Sequence, residues 1–413
     1  MLDLKLIRRE PDAVRAALTR RGAAEAVDEL LDADRRWREL NTRFEELRAE
    51  QNAVGKQIGE AKRSGADAGE AMERSAALKA ELGPLGEEAR AAEERVQQLV
   101  IALPNLPDRS APDDEEVLRE VGEGGREGRD HLDLLGGLVD MEAGARVSGS
   151  RFAYLKGPVV LLEFALVRWA LDVLERHGFT PVVPPVLVRE QAMFGTGFLP
   201  DTEQQIYRLA DDDLYLVGTS EVPLASLHAG EILDEEALPA RYAGFSTCFR
   251  REAGAGGKDT RGIFRVHQFD KVEMFSFVRP EESQSEHDRL LSIEEELLQA
   301  LEIPYRVVNI PVWDLGASAA KKYDLEAWLP GQGRYRELTS TSNTTDFQAR
   351  RLGIRFRPGG GRPEEVHTLN GTAVAVGRTI IAVVENHQQD DGSIEVPEVL
   401  QAFGAPPRIA AGA

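Results

Sequence analysis

Two runs of mostly apolar residues at alternating spacings of three and four constrain this chain more than any other feature. The first is Trp37, Leu40, Phe44, Leu47, Gln51, Val54, Ile58 and Ala61, and the second is Leu78, Leu82, Leu85, Ala89, Ala92, Val96, Leu99 and Leu103. Each is a heptad seam, and the short turn SGADAG at residues 64 to 69 joins them. Two such segments with so short a connection must fold back on each other, which predicts an antiparallel two-helix hairpin. With about 35 residues per helix, the hairpin would reach on the order of 50 Å. Gly83 and Pro84 predict an interruption of the second helix, because proline removes a backbone hydrogen bond there. Such seams more often build oligomers, but the alanines of the returning helix suit a close pair within one chain. Toward the tip, Arg48, Lys56, Lys62 and Arg63 face only Glu50 and Glu60, which makes a locally basic rod suited to a nucleic-acid stem.

The rest of the chain needs a second domain, since 413 residues exceed one ordinary domain and 42% hydrophobic content can bury a full core. We read residues 1 to 108 as the helical domain, 109 to 150 as a Pro- and Gly-containing linker interrupted by a helix around His131 to Met141, and 151 to 413 as the larger domain. A net charge of −21 argues against nucleic acid only globally, because a basic arm can project from an acidic body. One cysteine, Cys248, excludes a disulfide framework and a cysteine zinc site within one chain. No signal peptide or membrane-spanning run is visible, so a cytoplasmic home without a membrane partner is expected. No GxxxxGK[ST] loop occurs, which removes a P-loop nucleotide site.

The chemistry concentrates in FSTCFRREAGAGGKDTRGIFRVHQFDKVEMF, Phe245 to Phe275, read as two strands around a glycine-rich loop. The period of two places Arg250 with Glu252 on one face of the first strand and Arg265, Phe269 and Glu273 on one face of the second, so that the two arginines, two glutamates and the ring face one way. Arginines, glutamates and a ring on one strand face are poor burial unless something polar and anionic is bound there. Three further stretches stand out. One is Thr219, Ser220 and Glu221 at a strand-to-helix turn, where Thr219 or Ser220 would cap the helix. Another is the hydroxyl-rich RELTSTSNTT. The third is Gly377 and Arg378 at the start of a helix, where an arginine is badly placed unless an anion sits nearby.

Together these residues resemble the class II aminoacyl-tRNA synthetases, with wording closest to the bacterial seryl-tRNA synthetases: FRRE to FRVHQFDKVEMF as motif 2, TSE as the serine-binding turn, and TLNGTAVAVGRTIIAVVENHQ, residues 368 to 388 with Arg378 inside it, as motif 3. The resemblance implies an α+β fold, with an antiparallel catalytic sheet flanked by helices and an N-terminal coiled-coil arm that binds tRNA. It implies activation of L-serine by ATP and its transfer to the 3′ end of tRNA-Ser, with selenocysteine tRNA as an additional acceptor. By the same resemblance, serine would meet Thr219, Ser220, Glu221, Arg250, Glu273 and Thr372. ATP would meet Arg250, Arg251, Glu252, Arg265, Val266, Phe269, Glu337, Leu338, Thr339, Ser340 and Arg378, with Mg²⁺ held by Glu337 and Ser340 and no zinc. Transfer RNA would meet Arg48, Lys56, Lys62 and Arg63 on the arm, and its incoming end would meet Lys258 and Arg261 on the glycine-rich loop. Motif 1, a helix followed by a strand ending at Pro185, would form a homodimer interface. Two departures are Arg251, where many relatives have serine, and the Gly83-Pro84 pair in the arm. A ligase that charges a carrier protein and a non-catalytic relative are the alternatives; the basic arm argues against the first, and Arg250, Glu252, Arg265 and Arg378 argue against the second.

Overall fold

The computed structural model describes residues 1–200, 205–253, 259 and 261–412. It divides into two compact units, Met1–Leu106 and Pro107–Ala413. Lys258, expected on the motif 2 loop, lies outside the described residues.

In the first unit two long helices, α1 (Ala24–Ser64) and α2 (Gly69–Ala102), form the expected hairpin, closed by Gly65 in the left-handed conformation at the end of α1. Leu40, Leu85 and Ala89 are buried between them, with Phe44, Leu47 and Ala92 packed alongside. Two short helices, Leu4–Arg9 and Pro11–Thr19, cover the base, where Ile7, Val14, Leu18, Val27, Leu30, Val96 and Leu99 form a separate apolar cluster. Asp34 is buried there, and Arg8 and Arg38 reach its carboxylate at 2.5 and 3.0 Å. The interruption expected at Gly83 and Pro84 does not occur: α2 runs unbroken through Pro84. Pro84 and Ala80, whose carbonyl loses its partner, both lie on the exposed side, where solvent can satisfy that carbonyl. Arg48, Lys56, Lys62 and Arg63 are exposed on α1.

The second unit is built on an eight-stranded sheet: β1 (Glu116–Val121), β2 (Thr180–Val182), β3 (Ala240–Phe249), β4 (Gln268–Val278), β5 (Tyr305–Asn309), β6 (Lys321–Leu329), β7 (Arg334–Thr345) and β8 (His367–Ala375). The spatial order is β1-β5-β6-β7-β8-β4-β3-β2. Every pairing is antiparallel except β2 with β3. The stretch expected as a linker therefore contributes an edge strand, because Val117 to Val121 pair with β5. Helices α3 (Pro158–Arg176), α4 (Ser283–Ala300) and α5 (Val376–Asn386) supply Leu162, Leu166, Leu290, Leu297, Ile380 and Val384 to one core with the sheet. The other face of the central strands remains open, and the polar residues gather there. Among the described residues no helix is long and apolar enough to cross a membrane.

Candidate active site

The open face forms a cavity of about 450 Å³. It is lined by Thr219, Glu221, Arg250, Glu252, Arg265, Val266, Phe269, Glu273, Glu337, Leu338, Thr339, Ser340, Thr372 and Arg378. Residues far apart in sequence meet here because β4 pairs with both β3 and β8, setting Glu273 opposite Gly244 and Thr372.

Two expected residues do not face the cavity. Ser220 is buried and its hydroxyl donates to Gly244 O at 3.4 Å, while Arg251 is exposed and gives its backbone N–H to Gln205 O at 2.8 Å. The strand-parity reason for grouping Arg250 with Glu252 also fails. β3 ends at Phe249, and Glu252 has φ +51°, a left-handed backbone rare outside glycine. The turn, and not the pleat, sends both side chains inward. Arg265 lies before the start of β4 and reaches Glu252 at 2.5 Å. Arg261 is engaged by Asp133 at 2.7 Å.

One end of the cavity is acidic. The hydroxyl of Thr219 accepts the Glu221 N–H at 3.2 Å and donates to Glu273 at 3.5 Å, so Thr219 steadies the turn and Ser220 makes no side-chain cap. Gly244 permits that turn to rest on the sheet, since a Cβ there would stand 2.7 Å from Leu224 and 3.1 Å from Ser220 Oγ. Glu221 accepts from Gln348 at 2.7 Å and from Asn370 at 3.0 Å. Loss of solvent, then the nearby Glu273 charge, push the Glu221 carboxyl up to about 7. Burial likewise raises Glu273, even though Lys271 forms an ion pair with it.

The other end is cationic. Arg250 donates to Gly218 O at 3.1 Å, and its guanidinium lies 5.4 Å from the Phe269 ring centroid. Arg378, in the first turn of α5, donates to Glu337 O at 2.9 Å and lies 3.5 Å from its carboxylate. Burial works to raise Glu337, but Arg378, Lys322 and Arg250 hold its carboxyl below its ordinary range. Glu337 and Ser340 are three apart on β7 and would alternate faces in a regular strand. An extra residue at Leu338 relative to β6 breaks the register, and both line the cavity.

Sequence reasoning missed Lys271 and Asn370, although the parity that groups Phe269 with Glu273 also takes in Lys271, and Thr372 implies Asn370. It missed Phe264 and Arg336 for a different reason. Phe264 lies on an irregular segment and is flanked by Arg336 at 4.0 Å and Arg378 at 4.7 Å, an arrangement with no periodic signal.

An antiparallel sheet that holds carboxylates at one end of a cleft and arginines from a hairpin and a helix start at the other defines a class II aminoacyl-tRNA synthetase core. Residues 205–387 match the family described as tRNA synthetase class II core domain (G, H, P, S and T), and residues 1–107 match the seryl-tRNA synthetase N-terminal domain. The chain is 54% identical over 416 residues to the serine--tRNA ligase of Streptomyces coelicolor, covering 98% of this chain and 97% of that protein. Its fold is similar to the seryl-tRNA synthetase of Pyrococcus horikoshii complexed with ATP, with a TM-score of 0.94, 44% identity and 100% of both chains covered. It is also similar to the cytoplasmic serine-tRNA ligase of Naegleria fowleri in complex with AMP, at TM-score 0.89 and 33% identity, covering 100% of this chain and 99% of that one. The chain belongs to the seryl-tRNA synthetase family.

Proposed function

We infer that this protein activates L-serine with ATP and transfers it to the 3′ end of tRNA-Ser. The observation that carries this reading is the polarity of a single cavity, with Glu221 and Glu273 at one end and Arg250, Arg265 and Arg378 at the other. A zwitterionic amino acid can lie along that gradient, its ammonium toward the glutamates and its carboxylate toward Arg250. Thr219 and Thr372 supply hydroxyls for the serine side chain. A pocket that hydrogen-bonds a substrate hydroxyl discriminates against alanine, because its polar groups would otherwise be left unpaired.

In the first step a serine carboxylate oxygen attacks the α-phosphorus of ATP, the bond to the bridging oxygen of the β-phosphate breaks, and seryl-adenylate and pyrophosphate form. Arg250 would neutralise charge on the α-phosphate, and Arg265 and Arg378 charge on the outer phosphates. Glu252 and Phe269 would hold the adenine. In the second step a terminal ribose hydroxyl of the tRNA takes the acyl group and AMP leaves. Neither step uses a protein nucleophile. Glu337 and Ser340 offer hard oxygen donors, and the lowered Glu337 carboxyl stays ionised, which suits Mg²⁺. That ion would supply charge neutralisation on the phosphates.

The helical unit would read the tRNA through Arg48, Lys56, Lys62 and Arg63, with Lys258 and Arg261 near the acceptor end. A homodimer through the motif 1 region around Pro185 fits the exposure there of Leu161, Phe164, Val183 and Leu187, which is costly for a lone chain. A cytoplasmic setting and use of selenocysteine tRNA belong to the same proposal. The test is exchange of labelled pyrophosphate into ATP: it should require serine and not alanine or threonine, and another amino acid as the required partner would overturn the reading.

A further inference from the structure

Away from the residues assigned above, Asp130, His131 and Glu385 form a cluster whose ligand-type atoms all lie within 4.8 Å of one another. His131 begins the short helix His131–Leu135, and Glu385 sits in the last turn of α5. Both side chains are almost fully excluded from solvent. The His131 backbone N–H donates to Glu385 Oε1 at 3.1 Å, the Gly331 N–H donates to Oε2 at 2.9 Å, and His131 Nδ1 lies 3.1 Å from Oε1. Donors converging on one carboxylate place the imidazole proton on Nδ1. They also occupy both Glu385 oxygens with N–H donors. Nε2 then presents its lone pair, and the Ile263 N–H approaches it at 3.4 Å.

This contact reaches the cavity. Ile263, Phe264, Arg265 and Val266 form one of its walls, on the returning limb of the motif 2 loop. Gly262 makes the approach sterically feasible: its φ is +75°, and a Cβ there would fall 2.1 Å from His131 Nε2. Arg261 adds its ion pair with Asp133 on the same short helix.

We propose that His131 is a positioning residue for ATP, pinning the wall from Ile263 to Val266 through the hydrogen-bond chain Glu385–His131–Ile263. Naming ATP as the ligand of that wall rests on the reading of the preceding section. The chain couples α5, which carries Arg378, to the limb that carries Arg265, so both phosphate-facing arginines are referenced to one buried carboxylate. The serine end, held by Thr219, Gln348 and Asn370, is independent of it.

The test uses the full-length protein and reads the ATP Kd by calorimetry beside the KM values for ATP and serine in pyrophosphate exchange. His131→Leu should weaken ATP by up to about tenfold, the upper scale for losing one hydrogen bond that holds the wall, with the serine KM changed by less than about twofold. His131→Gln, whose side-chain oxygen can accept from Ile263 N, should recover most of the loss. Gly262→Ala keeps both the Glu385 and His131 side chains but drives a Cβ into the imidazole, which breaks the contact between His131 and the limb, and should reproduce the ATP-selective defect. Native ATP affinity in both His131→Leu and Gly262→Ala overturns the proposal. So does a parallel rise of the ATP and serine constants that follows a drop in Tm, or a His131→Gln variant as damaged as His131→Leu. If His131→Leu does not fold, Gly262→Ala and His131→Gln decide. The ATP Kd needs no amino acid, so absence of serine-dependent exchange would remove the proposed function without deciding the role of His131.

Discussion

Gln348 Nε2 donates a 2.7 Å hydrogen bond to Glu221 Oε1, yet the Glu221 carboxyl stands at about 7, well above its ordinary 4.5. The hydrogen bond favours the anion, and the loss of solvent together with the Glu273 charge outweighs it. Below about pH 7 the empty pocket therefore holds Glu221 protonated, whereas an incoming ammonium favours the carboxylate. Serine binding should release a proton and weaken as pH falls through 7, approaching about tenfold per unit for one linked proton. Calorimetry at pH 6 to 8 in buffers of different ionisation enthalpy measures that release, and Glu221→Gln should bind weakly with no linked proton.

Replacement of Arg250 by alanine removes a guanidinium that is fixed by Gly218 O and stacked near Phe269. Serine-dependent pyrophosphate exchange should fall by at least about 10²-fold, the scale seen when one group that stabilises transition-state charge is deleted. Unchanged exchange would sink the assignment of Arg250 to the α-phosphate.

Glu337 and Ser340 meet in the cavity only because of the register break at Leu338. Glu337→Gln should raise the Mg²⁺ concentration needed for half-maximal exchange, and chelation should abolish exchange in the parent protein. Equal Mg²⁺ dependence in the two proteins would exclude Glu337 as a ligand.

Lys56, Lys62 and Arg63 are exposed on α1. Charge reversal of all three should raise the KM for tRNA by about tenfold or more and flatten its salt dependence, while adenylate formation is spared. A charging rate that is unaffected at every salt concentration would show that this stretch does not read tRNA.

Phe164 is 62% exposed and Leu161 51% exposed on α3. Phe164→Glu should shift the protein toward the monomer by sedimentation. A parent protein that is already monomeric at micromolar concentration would discount the motif 1 interface.

Much of this protein was legible in the chain itself, because periodicity is a local property. The heptad seams determined the α1–α2 hairpin, and alternation in FDKVEMF determined that Phe269 and Glu273 share a face. The electrostatic conflict of Arg378 in a helix's first turn singled out a residue that lines the cavity. What only the tertiary structure decided depends on contacts between distant segments or on irregular backbone. The positive φ at Glu252, the bulge that brings Glu337 and Ser340 together, the stacking of Phe264 between Arg336 and Arg378, and the burial that raises Glu221 leave no repeating pattern in sequence. The same holds for Pro84, whose helix survives because the freed carbonyl faces solvent, and for residues 116 to 121, whose polar sequence reads as linker until β5 offers them an edge to pair with.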